Sequence, residues 1–130
     1  MSGQTIVGRT LCSSDRHGYT SPVLLDRLTL PALLAQWARI VDFLDREAVT
    51  AEAFCAHADV RHAIARRMVG KPVTRETREM LNELDTAYLA ATAEQTDCVH
   101  GADRAMTEGW TPQREWYYWR VPHKLMQHPS

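Results

Sequence analysis

Residues Thr50–Leu84 read TAEAFCAHADVRHAIARRMVGKPVTRETREMLNEL, and this stretch decides the predicted fold. Asp59 is either a residue in the middle of a helix or part of a tight turn at residues 58–60, and a turn is favoured because aspartate tolerates left-handed backbone dihedrals and also caps helices well. Gly70 is expected to end the helix that follows this turn. Thr74 then caps a further helix that is predicted to run to about Gln95. The stretch therefore predicts three helices, of which the first two are joined by the turn.

An amphipathic helix is predicted upstream of this stretch, over residues 29–47. Thr29 is the candidate N-cap, and Pro31 falls in the first turn, where its missing N–H is harmless. Apolar residues recur on one face of this helix at helical spacing, namely Leu30, Leu33, Leu34, Trp37, Ile40, Val41 and Leu44. Burying these large side chains at roughly 1.5–3 kcal/mol each would make the helix a main supplier of the core.

The C-terminal segment over residues 110–122 is rich in aromatic residues. Its composition from Glu115 to Val121 favours a short strand, and a second short strand is expected in the N-terminal segment. The aromatic side chains have two interpretations. They cap the helical core, or they form an exposed patch for a protein partner, because Trp and Tyr dominate interface hot spots. The candidate partner-binding residues are Trp110, Trp116, Tyr118 and Trp119.

The length and charge of the chain limit the classes of function. One hundred and thirty residues suit a single domain, residues 1–130, that buries a core without metal. The formal net charge is −1, so nucleic-acid binding would need a local basic patch. Residues 61–78 hold six Arg or Lys and one acid, whereas residues 79–108 hold seven acids and one base. This polarity is typical of a one-faced phosphate binder, and also of a solvated face that pairs internally or with a protein partner.

Cysteine usage and hydropathy predict a cytoplasmic protein. The three cysteines are an odd number at wide spacing, which is not typical of a disulfide framework. The first residues have no signal-peptide pattern, and no apolar run approaches the roughly 20 residues that span a bilayer. We therefore expect a soluble protein from a reducing compartment.

Two Cys-x-His pairs, at Cys55 and His57 and at Cys98 and His100, carry zinc-ligand side chains. This spacing is not a usual zinc knuckle, and a buried Cys55 with a surface His57 is expected instead. The chain also lacks the motifs of phosphate-binding loops and of common hydrolases. The sequence therefore predicts no metal, no cofactor and no enzymatic activity.

Residues 50–84 resemble the helix-turn-helix of the lambda-repressor-like superfamily, most closely the headpiece of LacI-type and phage-repressor-type regulators. Residues 54–60 (FCAHADV) resemble the first helix and turn of that family. Residues 66–78 (RRMVGKPVTRETR) resemble the end of its recognition helix, the glycine stop and the capped third helix. The resemblance covers about 35 of the 130 residues. It implies a mainly α fold with a helix-turn-helix-like core over residues 50–95.

The resemblance also implies that the second helix enters the major groove of double-stranded DNA. Arg61 and His62 would lie near base edges, and Arg66 or Arg67 near bases or phosphates. A helix N-terminus at Thr74 and the flanking basic residues would face phosphates. The residues expected to bind nucleic acid are Arg61, His62, Arg66, Arg67, Lys71, Thr74, Arg75 and Arg78.

The favoured function from sequence is a small DNA-binding regulator that works as a homodimer, because such regulators read two half-sites. The alternative is a protein-binding inhibitor, immunity protein or adaptor that blocks the surface of a partner. Under this alternative, the aromatic segment or the basic face would contact the partner.

Overall fold

The computed structural model describes residues 25–126, and this part of the chain is mainly α-helical with one small antiparallel sheet. The predicted fold class is confirmed in these terms. The strand expected in the N-terminal segment falls outside the described residues. The elements in chain order are α1 (Leu30–Arg46), α2 (Ala51–Met68), α3 (Arg75–Ala91), β1 (Thr92–Glu94), α4 (Ala102–Glu108), a 3₁₀ helix (Trp116–Trp119) and β2 (Arg120–Pro122).

Threonine caps begin the three long helices, as the sequence predicts. The side chains of Thr29, Thr50 and Thr74 each accept a hydrogen bond from the backbone N–H three residues later, at 3.2, 3.1 and 3.1 Å. Each cap satisfies a donor that the first helical turn would otherwise leave without a partner. The starts of α1, α2 and α3 are therefore set by local sequence.

The turn predicted at residues 58–60 is wrong, because α2 is one continuous helix from Ala51 to Met68. The segment contains neither glycine nor proline and is rich in alanine, the best helix former. Asp59 does not cap a new helix. It is buried, and its carboxylate accepts a hydrogen bond from Tyr118 in the aromatic segment. The structure therefore lacks the break that a helix-turn-helix requires at this position.

The end of α2 agrees with the sequence, whereas the end of α3 does not. Gly70 follows α2 with a φ of 67°, the left-handed conformation that favours glycine. α3 ends at Ala91 instead of continuing to Gln95. Residues 92–94 leave the helix because they form β1, which pairs antiparallel with β2. Its pairing partner lies far along the chain, so local helix propensity does not reveal it.

The aromatic segment forms mostly a 3₁₀ helix, and only Arg120–Pro122 is a strand. The strand predicted from Glu115 to Val121 is therefore wrong over most of its length. Tyr117 and Tyr118 are adjacent in sequence and both only 1% exposed. A strand would direct such neighbours to opposite faces, whereas this tight helical turn buries both against the helices.

The core lies between α1 and the two long helices that pack on it, α2 and α3. The apolar stripe of α1 is buried as predicted, except that Leu30 is half-buried. Trp37, Phe54 and Tyr88 contribute the large fully buried side chains of the three helices. Within residues 25–126, no helix is both long and apolar enough to cross a membrane.

Candidate functional site

Arg61 is buried and ion-paired, so the prediction that it lies on an exposed recognition face is wrong. Its Nε and Nη2 atoms donate to the two carboxylate oxygens of Asp85, each at 2.9 Å. Trp37 Nε1 donates to the same carboxylate at 3.1 Å. The guanidinium carbon also lies 5.6 and 5.4 Å from the ring centroids of Trp116 and Tyr117. Arg61 therefore joins α2 to α3 and to the aromatic segment.

The next predicted recognition residues also point towards the protein. His62 is half-buried, and its Nδ1 lies 2.8 Å from the Tyr117 hydroxyl oxygen. Arg67 donates to the backbone carbonyl oxygens of Asp26 and Leu28. Arg66 is exposed but forms an ion pair with the Asp26 carboxylate at 3.1 Å. Arg61 and His62 therefore lie on the side of α2 that packs against the rest of the protein, and not on its solvent-exposed side.

The remaining predicted nucleic-acid contacts lie on the surface around the start of α3. Thr74 is the exposed N-cap, and Arg75 lies 3.6 Å from Glu79 in an exposed ion pair. Lys71 and Arg78 are exposed and form no ion pair with other residues of the 25–126 region. The structure therefore separates the predicted set into a group on α2 whose members contact other parts of the protein and an exposed group between Lys71 and Arg78.

The four aromatic residues predicted to bind a partner belong largely to the packed interior. Tyr118 is buried, whereas Trp110, Trp116 and Trp119 are half-buried and pack against the core. The rings of Trp110 and Tyr118 lie in contact at a centroid distance of 4.4 Å, with their planes tilted by 32°. Trp116 contacts Tyr88 of α3 edge-on at 5.8 Å. Of the two interpretations of this segment, the structure agrees with the one in which it caps the helical core.

Asp59 and His100 form a buried polar pair that the sequence did not indicate. Nε2 of His100 lies 3.1 Å from Oδ1 of Asp59, and the Tyr118 hydroxyl donates to the same oxygen at 2.7 Å. Asp59 is 6% exposed and His100 is 9% exposed. An aspartate among buried alanines on one face of a helix was the available signal, because such a carboxylate needs a polar partner.

A partly open cavity of about 150 Å³ lies beside this pair. It is bounded by α2, α4, the aromatic segment and the chain just before α1. Its walls combine two aromatic rings, two small apolar patches and six ionisable side chains. The lining residues are Leu25, Asp26, Asp59, His62, Ala63, Arg66, Arg104, Glu108, Trp110 and Tyr118.

Burial sets the protonation states of two groups at this cavity. Desolvation lowers the pKa of His62 below its ordinary value, and the nearby positive charge of Arg66 lowers it further. Burial raises the pKa of Tyr117, whose hydroxyl contacts His62. Near neutral pH the pair is therefore a neutral imidazole beside a protonated phenol. A neutral imidazole has one donor and one acceptor nitrogen, so His62 adds hydrogen-bonding capacity to the wall without adding charge.

Two larger but more open depressions lie elsewhere on the described surface. One, of about 480 Å³, is a mostly apolar groove between α1 and α2 that includes Phe43, Ala56 and His57. The other, of about 500 Å³, lies on the exposed face of α3 near Arg75 and Arg78. The smaller cavity is the candidate site because a buried carboxylate, a buried imidazole neighbour and aromatic rings meet there.

The cysteines and histidines do not form a shared metal centre within the described residues. Cys55 is buried and disulfide-bonded, which the odd number and wide spacing of the cysteines did not indicate. Sequence spacing gives no measure of which cysteines a fold brings together. Cys98 is a buried free thiol, and His57 is half-buried instead of exposed at the surface.

Comparison with known proteins identifies no relative: no family model, curated protein or solved structure matches this chain. The site is therefore interpreted from its own geometry and chemistry.

Proposed function

We propose that this protein binds a small organic molecule in the cavity between α2, α4 and the aromatic segment. The observation that carries the proposal is the convergence of Asp59, His62, Trp110 and Tyr118 on one cavity. Ligand pockets in proteins combine apolar and aromatic walls with a few polar groups that fix the orientation of the ligand. Asp59 supplies a polar group of this kind, and Tyr118 and His100 hold its carboxylate in place at the wall.

The volume of the cavity sets the size of the ligand. A cavity of about 150 Å³ holds one benzene-sized molecule, so the expected ligand has one ring or an equivalent branched body. This is smaller than the roughly 300–1,000 Å³ of pockets for drug-sized molecules. The proposed ligand is therefore a small metabolite or signal molecule, and not a nucleotide cofactor.

Binding, without chemical conversion, is the more economical proposal for this site. None of the described residues lining the cavity is a serine, threonine, cysteine or lysine, the side chains that usually act as nucleophiles. The Asp59 carboxylate already accepts hydrogen bonds from Tyr118 and interacts with His100. These contacts favour a structural role for Asp59 in the cavity wall over a role as a nucleophile.

The proposal is tested by filling the cavity. Ala63 is 4% exposed and lines the cavity, so Ala63→Leu would occupy part of its space without removing a polar group. The matched control is Ala56→Leu, which adds the same atoms to the same helix but faces the groove between α1 and α2. Single-ring fragments are screened against each protein by the chemical shift of the Trp110 indole N–H.

We expect fragments that shift the Trp110 signal to bind the wild type and Ala56→Leu equally, and to lose binding to Ala63→Leu. Overpacking costs typically 1–3 kcal/mol of stability, so circular dichroism must establish that the variant is folded. Ala63→Val is the milder replacement if Ala63→Leu does not fold. Fragments that bind equally well after the cavity is filled would contradict the proposal.

A second candidate function is contact with nucleic-acid phosphates through the exposed cations near the start of α3. It is favoured by Lys71 and Arg78, which are exposed without an ion-pair partner in the described region. The proposed contact needs no recognition helix, so it would be electrostatic and insensitive to sequence. Homodimerisation and base recognition remain predictions from the resemblance alone.

Fluorescence anisotropy with random-sequence duplex DNA at two salt concentrations tests this second candidate. Binding should weaken steeply with salt. A Lys71→Gln, Arg78→Gln double variant should reduce the slope of log K against log salt concentration by about two, because two phosphate contacts are lost. Arg46→Gln, which removes an exposed cation at the end of α1, is the control. The absence of binding at low salt, or an equal effect of the control, would exclude this contact.

A further inference from the structure

Two arginines border the cavity from different elements, Arg66 from α2 and Arg104 from α4. Arg66 Nη2 lies 3.1 Å from the Asp26 carboxylate, and Arg104 Nε lies 3.2 Å from the Glu108 carboxylate. Each pair engages one nitrogen of a guanidinium group that carries five N–H donors in a planar fork. Both arginines therefore retain donors for a further anion.

The existing ion pairs at the cavity offer little resistance to such an anion. The side chains of the Arg66–Asp26 pair are 53% and 40% exposed, and those of the Arg104–Glu108 pair are 33% and 43% exposed. Ion pairs with this much exposure contribute little stability, because water screens them. An incoming carboxylate can therefore replace Asp26 and Glu108 on the two arginines with a small loss of ion-pair energy, provided that the displaced carboxylates turn towards solvent.

The geometry of Arg104 links charge recognition to the aromatic wall. Its guanidinium carbon lies 5.3 Å from the ring centroid of Trp110, which itself contacts the Tyr118 ring. An anion held by Arg104 would thus lie next to an apolar surface that suits a ring or a branched chain. The Asp59 carboxylate, 6% exposed, repels an anionic group and favours the uncharged body of the ligand on its side of the cavity.

We propose that the ligand is a small carboxylate with an aromatic or branched apolar body, whose carboxylate group is bound by Arg66 and Arg104. This inference rests on the proposed function, because it requires that the cavity binds a small molecule. The body of the ligand would pack against Trp110, Tyr118 and Ala63, and its carboxylate would face the two arginines at the more exposed side of the cavity.

Three probes that share one ring and differ in charge test the inference: benzoate, benzyl alcohol and benzylammonium. Each is titrated into the full chain at pH 7, and the dissociation constant is read from the Trp110 indole shift. Benzoate should bind about tenfold or more tightly than benzyl alcohol, since hydrogen bonds to charged groups exceed neutral ones by this order. Benzylammonium should be the weakest of the three.

Arg104→Gln should lower the ratio of benzoate affinity to benzyl alcohol affinity towards one. Arg75→Gln is the matched control, because it also removes one partly paired arginine from the surface but lies outside the cavity. Arg75→Gln should show the same ratio of benzoate affinity to benzyl alcohol affinity as the wild type. Thermal unfolding of each variant establishes that the fold is retained.

The outcomes separate this inference from the proposed function. If benzyl alcohol or benzylammonium binds at least as tightly as benzoate, and Ala63→Leu abolishes that binding, the cavity binds ligands but the carboxylate preference is wrong. An unchanged ratio in Arg104→Gln would also overturn the inference. If none of the probes binds, or if filling the cavity has no effect, both the inference and the proposed function fail.

Discussion

Asp85 holds together three parts of the molecule with one carboxylate. It accepts two hydrogen bonds from Arg61 of α2 and one from Trp37 of α1, while its own backbone belongs to α3. The Arg61 and Asp85 side chains are only 10% and 16% exposed. Because both side chains are largely buried, the loss of either one leaves the charge of the other without a counter-ion, which destabilises the fold.

Replacing Asp85 with Asn should lower the free energy of unfolding by about 3 kcal/mol, because the Arg61 charge would remain largely buried without its counter-ion. Asp42→Asn is the matched control, since Asp42 pairs with Arg46 in an exposed i,i+4 ion pair. Its effect should stay below about 1 kcal/mol. Urea unfolding measures both, and equal losses in the two variants would contradict the assigned role of Asp85.

The individual residues differ in how far the sequence reveals their roles. The three threonine caps depend on hydrogen bonds within one turn, so they could be predicted. The partners of Asp59 lie 41 and 59 positions away, in His100 and Tyr118. A pattern within a single segment contains no information on contacts at that separation, so Asp59 was interpreted as a local turn residue.

At the scale of elements, α2 is the feature that most changes the functional interpretation. Its inward face extends over Phe54, Ala58, Asp59 and Ile64, so residues on both sides of the expected turn pack against the same core. An unbroken helix gives Arg61 and His62 structural contacts and leaves them unable to reach DNA bases without rearrangement. The basic character of the segment was visible in the sequence, whereas the direction of each side chain depended on the turn.

Asp59→Gly distinguishes a continuous helix from a helix-turn-helix. The reference is Asp59→Ala, which removes the same carboxylate hydrogen bonds. At a true turn, glycine would be as stable as alanine or more stable. In the middle of α2, Asp59→Gly should be about 1 kcal/mol less stable than Asp59→Ala, because glycine is that much less favourable than alanine in a helix. Guanidinium unfolding followed by circular dichroism measures the difference, and equal or greater stability of the glycine variant would favour the turn.

At the scale of the whole molecule, the basic block of the sequence does not form one basic surface. Arg61 and Arg67 make internal contacts, and Arg66 pairs with Asp26 at the cavity. The exposed basic residues of this block are therefore Arg66, which is paired with Asp26, and those from Lys71 to Arg78. Charge content could be predicted from the sequence, but its distribution over the surface required the packing of α2 against the aromatic segment.

The stability of the whole molecule should decrease as the pH falls below about 6.5. Burial lowers the folded-state pKa of His57 and of His62 below the ordinary value of 6.5. The unfolded chain therefore binds more protons than the folded one below this pH, and protonation favours unfolding. The stabilising contribution of the neutral imidazoles is complete above pH 6.5 and is lost as the pH falls towards the folded-state pKa values.

Guanidinium unfolding between pH 7.5 and 5.5 measures this dependence. A His57→Gln, His62→Gln double variant should show a smaller decrease across this range than the wild type. His123→Gln is the control, because His123 is exposed near the end of the described chain. A double variant with the same pH dependence as the wild type would rule out these two histidines as the cause.

If the cavity beside Asp59 binds a small molecule, the position of the bound ligand can be observed directly. The decisive measurement is the set of intermolecular nuclear Overhauser effects between bound benzoate and the protein. We predict contacts from the ring protons of benzoate to the Trp110 indole and the Ala63 methyl group. Contacts confined to Phe43 and Ala56, in the groove between α1 and α2, would contradict the account.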